Sequence, residues 1–72
     1  MATIMEKDVL IEVVSSNLAL ISRQFSIEEL ENNKDRERLI QIRKFLYSSF
    51  PHEIDYEKIL SECKAIKQKY QR

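Results

Sequence analysis

The chain contains no glycine and no tryptophan, and only one proline, one histidine and one cysteine. Without glycine, phosphate-binding loops and dinucleotide fingerprints are excluded, because both need backbone that adopts positive φ and approaches the ligand closely. One histidine and one cysteine cannot supply the usual ligands of a zinc site within one chain. The sequence therefore predicts no metal site and no cofactor.

The length of 72 residues allows one domain, residues 1–72. A domain of this size buries only about 60% of the surface that its unfolded chain exposes, so its stability alone is marginal. Cys63 has no second cysteine to pair with, and small scaffolds that lack a disulfide or a metal often depend on a partner chain. We therefore expect a homo-oligomer, most simply a homodimer, or a chain that docks on another protein.

Charge is unevenly distributed along the chain, although its net charge is zero. Residues 1–33 contain two basic and six acidic side chains, whereas residues 34–72 contain ten basic and six acidic side chains. The two halves can complement each other within one fold or across a dimer. A balanced total argues against non-specific binding to nucleic acid, which rests on a basic surface.

Neither a membrane segment nor a targeting segment is indicated. No apolar run approaches the roughly 18 residues of a transmembrane helix. The N-terminus lacks a basic region followed by an apolar core, so no signal peptide is expected. The single cysteine is compatible with a reducing compartment, and we expect a cytoplasmic protein without a membrane partner.

The first helix is predicted from Met5 to Gln24. On a wheel of 100° per residue its apolar side chains span an arc of roughly 200°, about twice the width of a one-sided stripe. These side chains are Val9, Leu10, Ile11, Val13, Val14, Leu18, Leu20, Ile21 and Phe25. Such a helix lies at the centre of a bundle or also contacts a partner. Asn17 and Gln24 lie inside the arc, where they either bond to helix ends or water, or set the register of a dimer.

A helix start is indicated just after the first helix. Ser26 can cap a second helix, and Glu29 at its third position completes a capping box. Phe25 and Leu30 have the spacing of a hydrophobic staple across the same start. We therefore predict a short helix over residues 26–32.

The boundary between the second and third helices is less defined in the sequence. Residues 32–34 are poor helix formers, and Asp35 could cap a third helix from Arg36 to Ser49. The alternative is one continuous helix from Ile27 to Ser49. We favour the break.

Two groups of residues on the third helix follow helical spacing. The first forms an apolar arc expected in the core: Leu39, Ile42, Phe45, Leu46 and Phe50. The second group, beside it, is Arg36, Ile40, Arg43 and Tyr47. This second group either meets another helix of the bundle or forms an exposed anchor for a partner protein, because Arg and Tyr are enriched at interfaces. These four residues are the candidate partner-binding site.

The last helix follows the only clear loop, which contains Pro51. Asp55 is its predicted N-cap, and Ile54 and Ile59 have the spacing of a second hydrophobic staple. Its apolar residues form a narrow seam of the a/d kind: Tyr56, Ile59, Cys63, Ile66 and Tyr70.

Catalytic chemistry has little support in this sequence. His52 is the only candidate general base, and no nucleophile or oxyanion hole can be placed beside it, although Ser48 and Ser49 are near in sequence. Cys63 lies on the apolar seam, where burial raises the pKa of a thiol and makes it inert. We therefore expect a protein that is not an enzyme.

These observations predict an all-α protein, a small bundle of three longer helices and one short helix. The expected function is a small protein–protein interaction module: an adaptor, regulator or inhibitor that occupies a partner's surface. The alternative is a helix-turn-helix-like DNA-binding regulator, in which the second and third helices form the motif and the third helix carries the basic residues Arg36, Arg38, Arg43 and Lys44. Against that alternative, the turn lacks glycine, and Glu37 and Asp35 would lie among the residues that face the groove, where like charge repels phosphate.

Overall fold

The computed structural model describes residues 2–71. In chain order its helical elements are α1 (Ile4–Ser22), α2 (Ile27–Glu31), α3 (Lys34–Ser48), a 3₁₀ helix (Pro51–Glu53) and α4 (Tyr56–Tyr70). Residues 2–71 contain no strand. The prediction of an all-α bundle with three longer helices and one short helix is confirmed.

Side-chain caps define where α1 and α2 begin. Thr3 caps α1, and Glu6 bonds back to the Thr3 amide to complete a capping box. Before α2, the Glu29 amide donates to Ser26 Oγ at 3.3 Å and the Ser26 amide donates to Glu29 Oε1 at 3.0 Å. The predicted capping box of the second helix is therefore confirmed.

The break between α2 and α3 is present, but its cap differs from the prediction. Asn33, not Asp35, is the N-cap: the Arg36 amide donates to Asn33 Oδ1 at 2.7 Å. Asp35 lies in the first turn of α3 and accepts hydrogen bonds from α4 instead. The helix therefore starts at Lys34, two residues earlier than predicted, because Asn33 supplies the cap while the Asp35 carboxylate bonds to α4.

Helix α1 is the centre of the bundle and packs closely against both α3 and α4, whereas α3 and α4 meet mainly through side-chain bonds such as those of Arg38 with Glu62 and Tyr70 with Asp35. Contacts from Asn17 to Cys63 and from Gln24 to Tyr70 show that α1 and α4 run parallel. Helix α3 runs antiparallel to both. These two neighbours cover most of the wide apolar arc of α1, although Val9 remains 40% exposed. None of the described helices is both long and apolar enough to span a bilayer.

The core is formed by one stripe from each long helix and by the loop before α4. Its fully buried side chains are Leu10, Val14, Ile21, Leu39, Leu46, Ile54 and Cys63. Ile59 and Ile66 complete the α4 seam, and Tyr56 and Tyr70 pack against its ends. The predicted N-cap of α4 is also present, because the Lys58 amide donates to Asp55 Oδ1 at 3.1 Å.

Two aromatic residues assigned to the core lie outside it. Phe45 is 44% exposed, because it is on the side of α3 that faces the gap toward α4. Phe50 is 68% exposed, because α3 ends at Ser48 and the extended backbone at Ser49 and Phe50 turns the ring away from the helical stripe. Both positions are corrections to the predicted apolar arc.

Candidate functional site

The four candidate residues on α3 form one face, called here the α3 face: Arg36, Ile40, Arg43 and Tyr47. Arg36 and Ile40 are half-buried at the edge of the core, whereas Arg43 and Tyr47 are exposed. Tyr47 is 63% exposed, whereas tyrosine is on average intermediate in burial. The α3 face therefore combines partly anchored side chains with an open aromatic ring.

Arg43 and Tyr47 are held together on the surface. The Arg43 guanidinium lies over the Tyr47 ring, 5.9 Å from its centroid, within the range of a cation–π contact. One helical turn separates the two residues, so the helix itself places them face to face. The contact restricts two long side chains before any partner arrives, which lowers the entropy lost on binding.

A groove separates α3 from α4 on the other side of α3. Its volume is about 310 Å³, and it is lined by Arg38, Gln41, Ile42, Phe45, Glu53, Asp55, Lys58, Ile59 and Glu62. Ile42 and Ile59 form its floor, and the half-exposed Phe45 ring lies beside them. We call this feature the α3–α4 groove.

One end of the α3–α4 groove is closed by an ion pair. Arg38 donates to both carboxylate oxygens of Glu62, with Nη2 to Oε1 at 3.0 Å. The hydrogen bond and charge of Arg38 lower the pKa of Glu62, although partial burial opposes the shift. The helix-turn-helix alternative assigned Arg38 to DNA, but in the structure its guanidinium is paired with Glu62 of α4.

The other end of the α3–α4 groove opens into an acidic depression of about 560 Å³. Glu53 and Asp55 line both features, and Glu6, His52 and Glu57 line the depression as well. Within residues 2–71 no group of three or more His, Cys, Asp or Glu side chains is arranged to hold a metal ion. The carboxylates are therefore a negative surface next to an apolar groove.

Asn17 and Gln24 bond to α4 within the same chain. Asn17 is buried, and its Nδ2 donates to the Cys63 carbonyl at 2.8 Å. Gln24 Nε2 donates to the Tyr70 carbonyl. Seven residues separate the two donors and seven separate the two acceptors, so the bonds repeat with the heptad period and fix the register of the parallel pair α1 and α4.

Tyr70 ties α4 to the start of α3. Its hydroxyl donates to Asp35 Oδ2 at 2.7 Å and accepts from Asn33 Nδ2 at 3.3 Å. Its ring meets Phe25 edge to face, with centroids 5.8 Å apart. Burial, together with the hydrogen bond to Asp35, raises the pKa of the Tyr70 phenol. We call this part of the bundle the Tyr70 end.

The opposite end, where α3 connects to α4 and α1 begins, is called here the loop end. Lys7 Nζ donates to the Ser49 carbonyl at 2.8 Å and holds the loop against α1. Seven large hydrophobic side chains are exposed among residues 2–71, and six of them lie at or within about two turns of this end: Ile4, Met5, Val9, Phe45, Tyr47 and Phe50. The loop end therefore offers apolar surface that the fold does not use.

The residues considered for chemistry are engaged elsewhere. His52 is exposed, and its ring stacks on that of Phe50 with centroids 5.8 Å apart. The Ser48 hydroxyl donates to the carbonyls of Lys44 and Phe45. Cys63 is buried, and burial raises the pKa of its thiol, as its place on the seam predicts.

The sequence located the α3 face but missed the α3–α4 groove. The groove depends on the distance between two helices that are remote in sequence, and no local pattern encodes that distance. The sequence placed Phe45 in the core arc and gave no signal of its exposure at the groove. Comparison of the chain with family models, with curated proteins and with solved structures gives no match.

Proposed function

We propose that this chain is a small, non-enzymatic protein–protein interaction module of the cytoplasm, an adaptor, regulator or inhibitor that occupies a partner's surface through its α3 face. We also propose that it self-associates, with the homodimer as the smallest assembly. The observation that carries the proposal is the exposed Arg43–Tyr47 pair next to the half-buried Ile40.

Interface chemistry supports this proposal. Tyr and Arg are the residue types most enriched among those that dominate binding energy, and such residues act best when a rim of neighbours excludes water. Ile40 and Arg36, held at the edge of the core, provide neighbours of this kind. Because Tyr47 is mostly exposed, its ring contributes little to folding and is available to a partner.

The test replaces Ile40 and Tyr47 with serine. The native chain and the variant are each immobilised, and the proteins that each retains from a lysate of cells that naturally express the chain are compared. We expect the I40S/Y47S variant to keep its helical circular dichroism and to lose a protein that the native chain retains. Ile27→Ser is the matched control, because Ile27 is 77% exposed at the far end of the bundle. Unfolding of I40S/Y47S, or retention of the same proteins, would contradict the proposal.

DNA binding is a second candidate, because the break between α2 and α3 required by a helix-turn-helix is present. The ion pair of Arg38 with Glu62 and the exposed Glu37 weigh against it. A duplex titrated at about 50 mM salt, where phosphate contacts are strong, decides between the two. Binding that Arg43→Ala weakens would favour DNA, and its absence would favour the interaction module.

A further inference from the structure

The α3–α4 groove combines an apolar floor and one exposed aromatic ring with a rim of polar and charged side chains. Its floor is made by Ile42 and Ile59, each less than 10% exposed, and the Phe45 ring stands beside it with 44% of its surface accessible. A large aromatic ring beside an apolar floor is typical of a site that receives side chains from another chain.

The open end of the groove carries fixed negative charge. Glu53 Oε1 accepts from the Phe50 amide at 2.9 Å, and Asp55 Oδ1 accepts from the Lys58 amide. These bonds hold both carboxylates in place, and within residues 2–71 the second oxygen of each accepts no hydrogen bond. With Glu6 and Glu57 nearby, this end outweighs the single positive charge of Lys58. The groove therefore selects an occupant that combines apolar groups with a cation.

The α3 face of the same chain has this composition. It presents Ile40 and Tyr47 with two guanidinium groups, in a row about 16 Å long at 1.5 Å per residue. Phe45 and Tyr47 are two residues apart and so project about 200° from each other around α3. One copy can therefore use its groove and its α3 face at the same time, on opposite sides of one helix.

We propose that the α3 face of one copy docks in the α3–α4 groove of a second copy. Ile40 and Tyr47 of the first copy cover Phe45 and the groove floor of the second, while Arg43 meets the carboxylates at its open end. The proposal rests on the proposed function, since it names the partner of the α3 face. Zero net charge permits this association without overall repulsion.

The contact is head-to-tail, because the two surfaces that meet are different. Such contacts extend into filaments or close into rings, and a dimer is their smallest member. A contact limited to one helix face and one groove lies at the small end of protein interfaces, so association depends steeply on concentration.

The test uses two variants that each remove one of the two surfaces. The groove variant is F45S/E53Q/D55N. The side-chain amides at positions 53 and 55 keep an oxygen that can accept the capping hydrogen bonds, while both negative charges and the Phe45 ring are removed. In the face variant, R43E/Y47S, only exposed side chains change. The control, I27S/K64E, alters exposed residues outside both surfaces. Mass is measured by sedimentation equilibrium from about 10 µM to about 1 mM, a range suited to weak association.

The native chain and the control should gain mass with concentration, and each surface variant alone should remain monomeric. A one-to-one mixture of the two variants should form a species of two chains and no larger, because only one intact face and one intact groove can meet. A native chain that stays monomeric would overturn the inference, as would either variant associating like the native chain or a mixture that stays monomeric. A native chain that stays monomeric would also end the proposed self-association. In all these cases the lysate comparison with I40S/Y47S still tests separately whether the α3 face binds another protein.

Discussion

The two ends of the bundle use their aromatic side chains in opposite ways. At the Tyr70 end, Phe25 packs edge to face on Tyr70, whose hydroxyl bonds to Asp35 and Asn33. At the loop end, Phe50 is 68% exposed and stacks only on the exposed His52 ring. The Tyr70 end joins α1, α3 and α4 through its aromatic rings, whereas the loop end leaves Tyr47 and Phe50 in solvent and packs only Tyr56 against the core.

In this small domain, the residues that stabilise the fold differ from the residues that we propose for binding. Buried or half-buried hydrogen bonds join α4 to α1 and α3. These bonds lie in the middle of α4 and at the Tyr70 end. We therefore expect that the exposed side chains at the loop end and on the α3 face can change without loss of the fold. Binding residues in so small a domain should be those that folding does not need.

The largest effect is expected for substitutions in the core, which test whether the two ends of the bundle are packed equally tightly inside. Leu10, toward the loop end, and Ile21, toward the Tyr70 end, are both fully buried. Replacing either with alanine should lower the free energy of unfolding by about 2–5 kcal/mol, because a cavity adds to the lost transfer energy. Urea denaturation checks this, with the 79%-exposed Met5 changed to alanine as the control. A cost below about 1 kcal/mol for Leu10→Ala would mean that the loop end is loosely packed inside as well.

A smaller effect is expected at Tyr70. Tyr70→Phe removes the hydroxyl that bonds to Asp35 and Asn33, and should cost about 1–2 kcal/mol of unfolding free energy. Tyr47→Phe is the control, because the Tyr47 hydroxyl is on an exposed ring and should cost almost nothing.

The pH dependence of the same variant gives an independent check. The pKa of Tyr70 is raised in the folded state, so its contribution is complete below the ordinary tyrosine pKa of 10.0 and is lost as pH rises through the folded value. The native melting temperature should therefore fall more steeply above pH 10 than that of Tyr70→Phe. Parallel curves would show that the phenol is not coupled to folding.

The ion pair between Arg38 and Glu62 should contribute less than the Tyr70 contacts, although it closes one end of the groove. Both side chains remain partly exposed, so a double-mutant cycle with alanine should give about 0.2–1 kcal/mol. Arg38 lowers the pKa of Glu62, so this contribution is present above the ordinary value of 4.5 and is lost as pH falls. A coupling above about 2 kcal/mol would show that the pair, rather than α1, holds α3 and α4 together.

The smallest effect is expected at Phe50. Phe50→Ser should change the free energy of unfolding by no more than about 0.5 kcal/mol, as for surface substitutions. Thermal unfolding of Phe50→Ser and of Phe25→Ser, which removes the contact with Tyr70, compares the two ends directly. A similar loss for both would remove the distinction between them.

Local sequence signals predicted the helices well because caps act over three or four residues. Ser26 with Glu29, and Asp55, mark helix starts that the structure confirms. The error at α3 arose because Asn33 and Asp35 are both good caps, and only the tertiary contact of Asp35 with α4 separates them. Local chemistry alone could not make that choice.

Features that depend on helix separation were not predictable. The helical wheel gave Phe45 a direction but not the distance to α4, so its exposure and the groove were missed. The helical wheel placed Asn17 and Gln24 in the apolar arc, where one interpretation was that they set the register of a dimer. In the structure they set the register of α1 and α4 within one chain. The positions on the α3 face were predictable, since they depend only on spacing.

The backbone of residues 2–71 has no left-handed residue, and the described helix starts are set by side-chain oxygens of Thr3, Ser26, Asn33 and Asp55. No connection between helices thus relies on a conformation that only glycine tolerates. Helix length is therefore editable in this protein: a new cap can move a boundary by a residue or two while the connecting backbone keeps its ordinary shape.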